Sequence, residues 1–212
     1  MSSSPRSHLF WGAHSPLSAL SGMGLLIMAS GRTAFALITA LSLLWVYGLT
    51  VPVFFASFKI LPPKGKIFIQ IFLSAFFGSV FVLLIWLFSP FLAMETGFLL
   101  TLVPAVCISS GIFSRMEDPD PLKIFTRSLS EAGVLGLLIL ALALIREPIG
   151  YASLSLPGGN RGIVEIFSGG GENSFFPVHI ATSSAGALLL LGYSLALFRH
   201  LRGLYGNKER NP

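Results

Sequence analysis

The only cysteine of this 212-residue chain, Cys107, lies in an apolar stretch together with Ser109 and Ser110. One thiol can supply neither an intrachain disulfide nor a four-thiolate metal site. The stretch, 97–115, carries no charge before its last residue, and its 19 residues are just long enough to cross a bilayer core. Pro104 removes one helical hydrogen bond, so we expect a continuous helix to break there. Small polar residues after such a break usually face protein or a cavity.

Charged side chains in or beside apolar blocks are the other candidates for chemistry. Glu131 is the only carboxylate inside a predicted span, where a charge is expensive and often functional, although a carboxylate near a helix start also suits the helix dipole. Arg146 and Glu147 end an apolar block just before Pro148. They are either an interfacial ion pair that stops the helix or a contact for a partner subunit or a cation. The sequence contains no Ser/His/Asp arrangement, paired catalytic carboxylates or flavin or haem attachment sequence.

Composition sets the class of protein. Hydrophobic residues make up 53% of the chain and charged residues 11%, against about 25% charged in soluble domains. We therefore expect an all-α integral membrane protein. The isoelectric point of about 9.7 needs no nucleic-acid partner, because a topology signal and attraction to anionic lipid account for it.

The apolar residues fall into six blocks, of which all but the first are long enough to span a membrane. The first is interrupted by His14, Ser15 and Pro16. The six predicted spans are residues 9–30, 33–58, 67–93, 97–115, 129–145 and 174–198.

The distribution of basic residues orients these spans. With the N-terminus inside, eleven of the 14 Lys and Arg residues fall in inner segments, and only Arg32, Arg146 and Arg161 fall outside. The positive-inside rule therefore places both termini in the cytoplasm.

The first and fourth blocks resemble each other, since each is an interrupted apolar run with a proline and small polar residues, followed by two stronger spans. Two sets of three spans in one membrane have opposite orientations and form an inverted repeat. We expect a single domain with a first repeat at 1–93 and a second at 94–212, whose interrupted helices meet near the midplane.

Several stretches resemble the membrane subunits of the Rnf and Nqr complexes, most closely the E subunit of Rnf and the D subunit of Nqr. They are ALIREPIGYASLSL around Arg146, Glu165-Ile166-Phe167, the apolar last span with its basic tail, Pro104 with Arg115 and Glu117, and the Pro16-Leu17 element. The resemblance implies a subunit of an ion-pumping electron transport complex in the bacterial inner membrane. It also implies a paralogous membrane partner of opposite topology, together with flavin- and iron–sulfur-bearing subunits.

In that family, cysteines of the first and fourth spans of the two paralogues hold a shared iron–sulfur cluster. The resemblance places Ser15 and Ser110 at those two positions in this chain. A serine hydroxyl is a harder and far less acidic ligand than a thiol. Cys107, three residues before Ser110, is an alternative ligand with His14 as an imidazole partner. A buried cysteine is more often a small packing residue.

The sequence thus leaves two functions open. The first is a membrane subunit of an Rnf/Nqr-type complex, with or without its own redox centre. The second is a small transporter or scaffold that keeps the inverted-repeat architecture without a redox role. The transported ion, sodium or proton, is not encoded in any motif.

Overall fold

The computed structural model describes residues 20–58, 66–109, 121–158, 162–168, 183–193 and 196. This part of the chain is mostly helical, and a small β-hairpin follows the longest helix. The elements are α1 (Leu20–Ala29), α2 (Thr33–Phe58), α3 (Lys66–Phe88), α4 (Pro90–Ser109), α5 (Pro121–Tyr151), β1 (Ser153–Pro157), β2 (Ile163–Ser168) and α6 (Ser184–Tyr193).

Four of the described helices, α2 to α5, are long and apolar enough to cross a membrane. Most of α3 is exposed on the isolated chain, and its outward residues include Phe68, Phe72 and Leu83. A helix that presents large apolar side chains outward is typical of a protein embedded in lipid. The membrane class expected from the composition is therefore supported by the helices.

The predicted third span, 67–93, is divided in the structure. Helix α3 ends at Phe88 and α4 begins at Pro90, seven residues before the predicted start of the fourth span. Ser89 lies between them, and its Oγ accepts a hydrogen bond of 3.4 Å from Leu92 N. A serine N-cap followed by proline in the first helical position is a strong helix start. The chain reverses here, so α3 and α4 form an antiparallel pair.

Pro104 does not break the fourth helix, so that prediction was wrong. Helix α4 continues from Pro90 through Pro104 to Ser109. Spanning helices tolerate an interior proline because neighbouring helices compensate for the lost hydrogen bond. Pro104 packs directly against Gly78 of α3, where an added Cβ would lie 2.5 Å from the proline Cγ. The fold accommodates the ring by leaving out a side chain opposite it.

Helix α2 is at the centre of the bundle. It packs against α5 most extensively and also against α3 and α4. Helix α1 packs against α4 and α5, so the first and fourth helices are in contact, as expected. The main core cluster unites residues of α1, α2, α4 and α5, including Leu25, Tyr47, Val103, Cys107 and Ile139.

The fold is mostly helical, as expected, and residues after α5 add an antiparallel β-hairpin. Strand β1 pairs with β2 from Ser153 opposite Ser168 to Pro157 opposite Ile163, with a register irregularity after Leu154. Gly162 closes the hairpin with φ of +75°, and an added Cβ there would lie 2.4 Å from Phe91 Cδ1 of α4. The two strands were not predicted, because they are only five and six residues long and are separated by a polar, glycine-rich stretch that is typical of a loop. The hairpin packs over one end of the helices, where β1 contacts α2 and α5.

The first and last predicted spans are described only in part, as α1 and α6. His14, Ser15 and Ser110 lie outside the described residues. The contact between α1 and α4 is one feature of the predicted inverted repeat.

Candidate functional site

Two consecutive charged residues near the end of α5 lie inside the protein. Arg146 is 4% exposed and Glu147 is 1% exposed. The sequence had suggested an interfacial pair that stops the helix, but α5 continues past both of them to Tyr151. The helix ends where Ala152 adopts a left-handed conformation with φ of 50°. The prediction that the pair stops the helix was therefore wrong.

Arg146 binds the end of α1. Its Nη1 donates to the carbonyl oxygen of Ile27 at 2.8 Å and to Ser30 Oγ at 3.0 Å. Its Nη2 donates to the carbonyl of Ser183, next to α6, at 3.0 Å. The last carbonyls of a helix lack intrahelical partners and carry partial negative charge, so a guanidinium is a fitting ligand for them.

Glu147 binds the start of α2. Its Oε2 accepts hydrogen bonds from Thr33 N at 2.7 Å and from Thr33 Oγ1 at 2.5 Å. The Thr33 hydroxyl is shared between this carboxylate and the carbonyl oxygen of Ser155. The Ser155 hydroxyl in turn lies 3.5 Å from Ala34 N. A carboxylate satisfies the free amides at a helix start and matches its positive partial charge.

Together these contacts form what we call the α5 clamp: Arg146 and Glu147 with Ser30, Thr33 and Ser155. Neighbouring residues of opposite charge hold opposite ends of two successive helices, α1 and α2, across the short turn between them. Each charge lies at the helix end whose dipole it complements. Beside the clamp, the Arg32 guanidinium lies 5.4 Å from the centre of the Tyr151 ring. The arrangement can fix the positions of the two helix ends.

Glu131 is a second buried charge, 4% exposed, inside the spanning helix α5. Its Oε1 lies 3.5 Å from Nε of Arg127, one turn earlier, whose side chain is half exposed. The ion pair connects the buried carboxylate with the surface. The sequence had suggested that Glu131 is the only carboxylate in a spanning helix, and this was wrong. Because α4 begins at Pro90, the exposed Glu95 also lies within one.

Cys107 is fully buried among apolar side chains of the core cluster, which includes its neighbours Val103 and Val106. An iron–sulfur cluster needs several thiolate or imidazole ligands. Within the described ranges, no group of three or more His, Cys, Asp or Glu side chains is placed to hold a metal ion. The described residues therefore supply one thiol, a single one of the several ligands that the cluster implied by the resemblance would need. The other proposed ligand positions lie outside those ranges.

The clamp partners Ser30, Thr33 and Ser155 were missed by sequence analysis. Thr33 and Ser30 contact residues of α5 that are 114 and 116 positions away, and Ser155 contacts Thr33 across 122 positions, so no local spacing reveals these contacts. The only local signal was a threonine directly after a glycine and an arginine, a plausible helix start.

Comparison with protein-family models finds no match to this chain, and comparison with curated protein sequences finds none either.

Proposed function

We propose that this chain is a membrane-embedded subunit of an Rnf/Nqr-type ion-translocating electron transport complex. In this role it spans the bacterial inner membrane six times as two inverted repeats, with both termini in the cytoplasm. It pairs with a paralogous subunit of opposite topology and associates with flavin- and iron–sulfur-bearing subunits.

The observation that carries the proposal is the contact between α1 and α4, which buries Cys107 in the core cluster that both helices share. An inverted-repeat subunit requires its first and fourth helices to meet inside the bundle. One of the stretches that resemble the family, around Arg146 and Glu147, lies on the same framework, because these two residues bind the ends of α1 and α2. The resemblance and the packing therefore point to the same architecture.

The chain's own contribution in this role is positional. The α5 clamp sets the ends of α1 and α2, and α4 is held against α3 by the fit of Pro104 on Gly78. The single described thiol is fully buried within the hydrophobic core cluster, which suits packing better than ligation. We therefore assign this subunit the task of holding the electron path in place, without an electron carrier bound by Cys107.

Co-purification tests the proposal. The affinity-tagged full-length chain is extracted from native membranes in mild detergent and separated by size, and flavin and iron are measured in its peak. We expect a complex that contains flavin, iron–sulfur protein and a second membrane subunit of similar size. A lone, cofactor-free species would refute the proposal, and movement of a solute by that species in vesicles would establish the transporter alternative.

A matched pair of variants tests the positional role of Cys107. Cys107→Ala is expected to leave the iron content and the paramagnetic signal of the purified complex unchanged. Ala105→Ser, at an exposed position on the same helix, serves as the control for expression and assembly. Loss of iron in Cys107→Ala alone would show that the thiol is a ligand.

A further inference from the structure

Most described hydroxyl groups in the helices follow one rule. They donate to a backbone carbonyl three or four residues earlier in the same helix, which satisfies the hydroxyl without help from a neighbour. Eight serine and threonine side chains do so: Ser57, Ser74, Thr96, Thr101, Ser109, Thr126, Ser128 and Ser130. Ser30, directly after α1, makes the same kind of bond to the carbonyl oxygen of Ile27.

Three hydroxyls of α2 break the rule. Thr39, Ser42 and Thr50 are each 0% exposed, and their oxygens have no hydrogen-bond partner in the part of the chain that the structure describes. A buried hydroxyl left unsatisfied costs about 1–3 kcal/mol, and native proteins rarely tolerate one. Three on one helix therefore indicate a ligand between the helices.

The three hydroxyls share one face of α2. Spacings of three and eight residues place them in a narrow stripe along a helix of 3.6 residues per turn. Val46 lies in the same stripe, between Ser42 and Thr50, and is also 0% exposed. We call this face the hydroxyl stripe.

Contacts on the other faces of α2 show where the hydroxyl stripe points. Ala40, about 100° away around the helix, packs against Gly136 of α5, where an added Cβ would lie 3.1 Å from the Ala40 Cβ. On the opposite side, the ring of Trp45 lies 6.1 Å from that of Phe81 on α3. The stripe lies between these directions, and α4 is the remaining long helix packed on α2. The stripe therefore borders the seam between α2 and α4.

We propose that the seam between α2 and α4 binds ordered water through the hydroxyl stripe. Water is the smallest ligand that satisfies hydroxyls as donor and acceptor, and a buried water makes about three hydrogen bonds. Thr39 and Ser42 are separated by a rise of about 4.5 Å and can share one molecule. Thr50 lies about 12 Å further along the axis and requires a second site. This inference does not rest on the proposed function, because it holds for any role of the bundle.

Radiolytic hydroxyl labelling tests the proposal, because X-rays convert bound water into radicals that modify adjacent side chains. The full-length protein in nanodiscs is irradiated, and modification is measured by mass spectrometry at Val46 and at Ile139 of α5, both 0% exposed. We expect Val46 to be modified at least several-fold faster than Ile139. Equal, slow labelling of the two residues would overturn the proposal.

Variants provide the second readout. Combining Thr39→Val, Ser42→Ala and Thr50→Val is expected to reduce labelling of Val46 to the level of Ile139. Thr96→Val, whose hydroxyl is satisfied within its own helix at 2.7 Å, is expected to leave it unchanged.

If the triple variant fails to fold, the single substitution Thr50→Val tests the proposal, because its melting temperature should change in opposite directions for a water-bound and for a dry hydroxyl. Valine has the shape of threonine without the hydroxyl. A water-bound hydroxyl predicts a lower melting temperature, because the water loses a partner. A dry hydroxyl predicts a higher one, because an unsatisfied group has been removed, and that result would refute the proposal.

Discussion

Replacement of Glu147 gives the sharpest test of the α5 clamp. Its carboxylate is 1% exposed and accepts two hydrogen bonds from Thr33, at 2.7 and 2.5 Å. Glu147→Ala leaves a buried amide and a buried hydroxyl without their charged acceptor, and each loss is worth about 1–3 kcal/mol. The attraction between the carboxylate and the start of α2 adds about 0.3–2 kcal/mol. Because such losses are not additive, we expect a total of about 3 kcal/mol.

The chain carries its own reporter for this measurement. Cys107 is the only cysteine and is fully buried, so a fluorogenic maleimide reacts with it only when the bundle opens. In detergent, Glu147→Ala is expected to lower the melting temperature by about 6–12 °C, at about 2–4 °C per kcal/mol for a chain of this size. Glu147→Gln keeps an oxygen acceptor but loses the charge, so its decrease should be about half as large.

The matched control is Glu165→Ala, which removes an exposed carboxylate from β2. Its melting temperature should lie within about 1 °C of the wild type, because exposed charges contribute little. If Glu147→Ala melted together with this control, Glu147 would not cap α2, and the account of the clamp would be wrong.

Three further substitutions test other contacts with the same thiol assay. Gly78→Ala places a Cβ 2.5 Å from Pro104 Cγ and should lower the free energy of unfolding by about 1–3 kcal/mol. Gly97→Ala, with open space around it, is the control and should be neutral or slightly stabilising. Equal effects of the two substitutions would contradict the close packing of Pro104 on Gly78. Arg146→Lys replaces a planar guanidinium that donates to three acceptors with a single ammonium group, and it should lower the free energy of unfolding by about 2–4 kcal/mol. Wild-type stability of this variant would show that the guanidinium geometry is unimportant. Gly162→Ala places a side chain at a φ of +75° and in a clash with Phe91 of α4, so we expect the hairpin to detach from the helices. Detachment would appear as faster protease cleavage after β1, and an unchanged cleavage rate would contradict this prediction.

The sequence was a good guide where helix and apolar block coincide. Helix α2 begins at Thr33 and ends at Phe58, as predicted, because a glycine and an arginine precede it and no charged residue interrupts the segment. The break at Ser89 was missed, because apolar residues continue on both sides of it. A serine followed by proline was the available signal, and its preference for a helix start outweighed the apolar run.

Predictions from single residues were less reliable than predictions from blocks. Pro104 was expected to break α4, but the outcome depended on Gly78, which is distant in the sequence. Arg146 and Glu147 were expected to stop α5, but the helix continues past both of them to Tyr151. They are buried since α1, α2 and β1 supply hydrogen-bond partners, and such pairings follow only from the tertiary structure.

The α5 clamp also has a consequence for biogenesis. A chain inserted from its N-terminus produces the turn between α1 and α2 more than a hundred residues before the two charges that complete it. Until α5 enters the membrane, the first amide of α2 lacks its carboxylate and the last carbonyls of α1 lack their guanidinium. The N-terminal helices of a nascent chain that stops before residue 146 therefore remain unsecured, and quality-control proteases have a physical basis for recognising such truncated products.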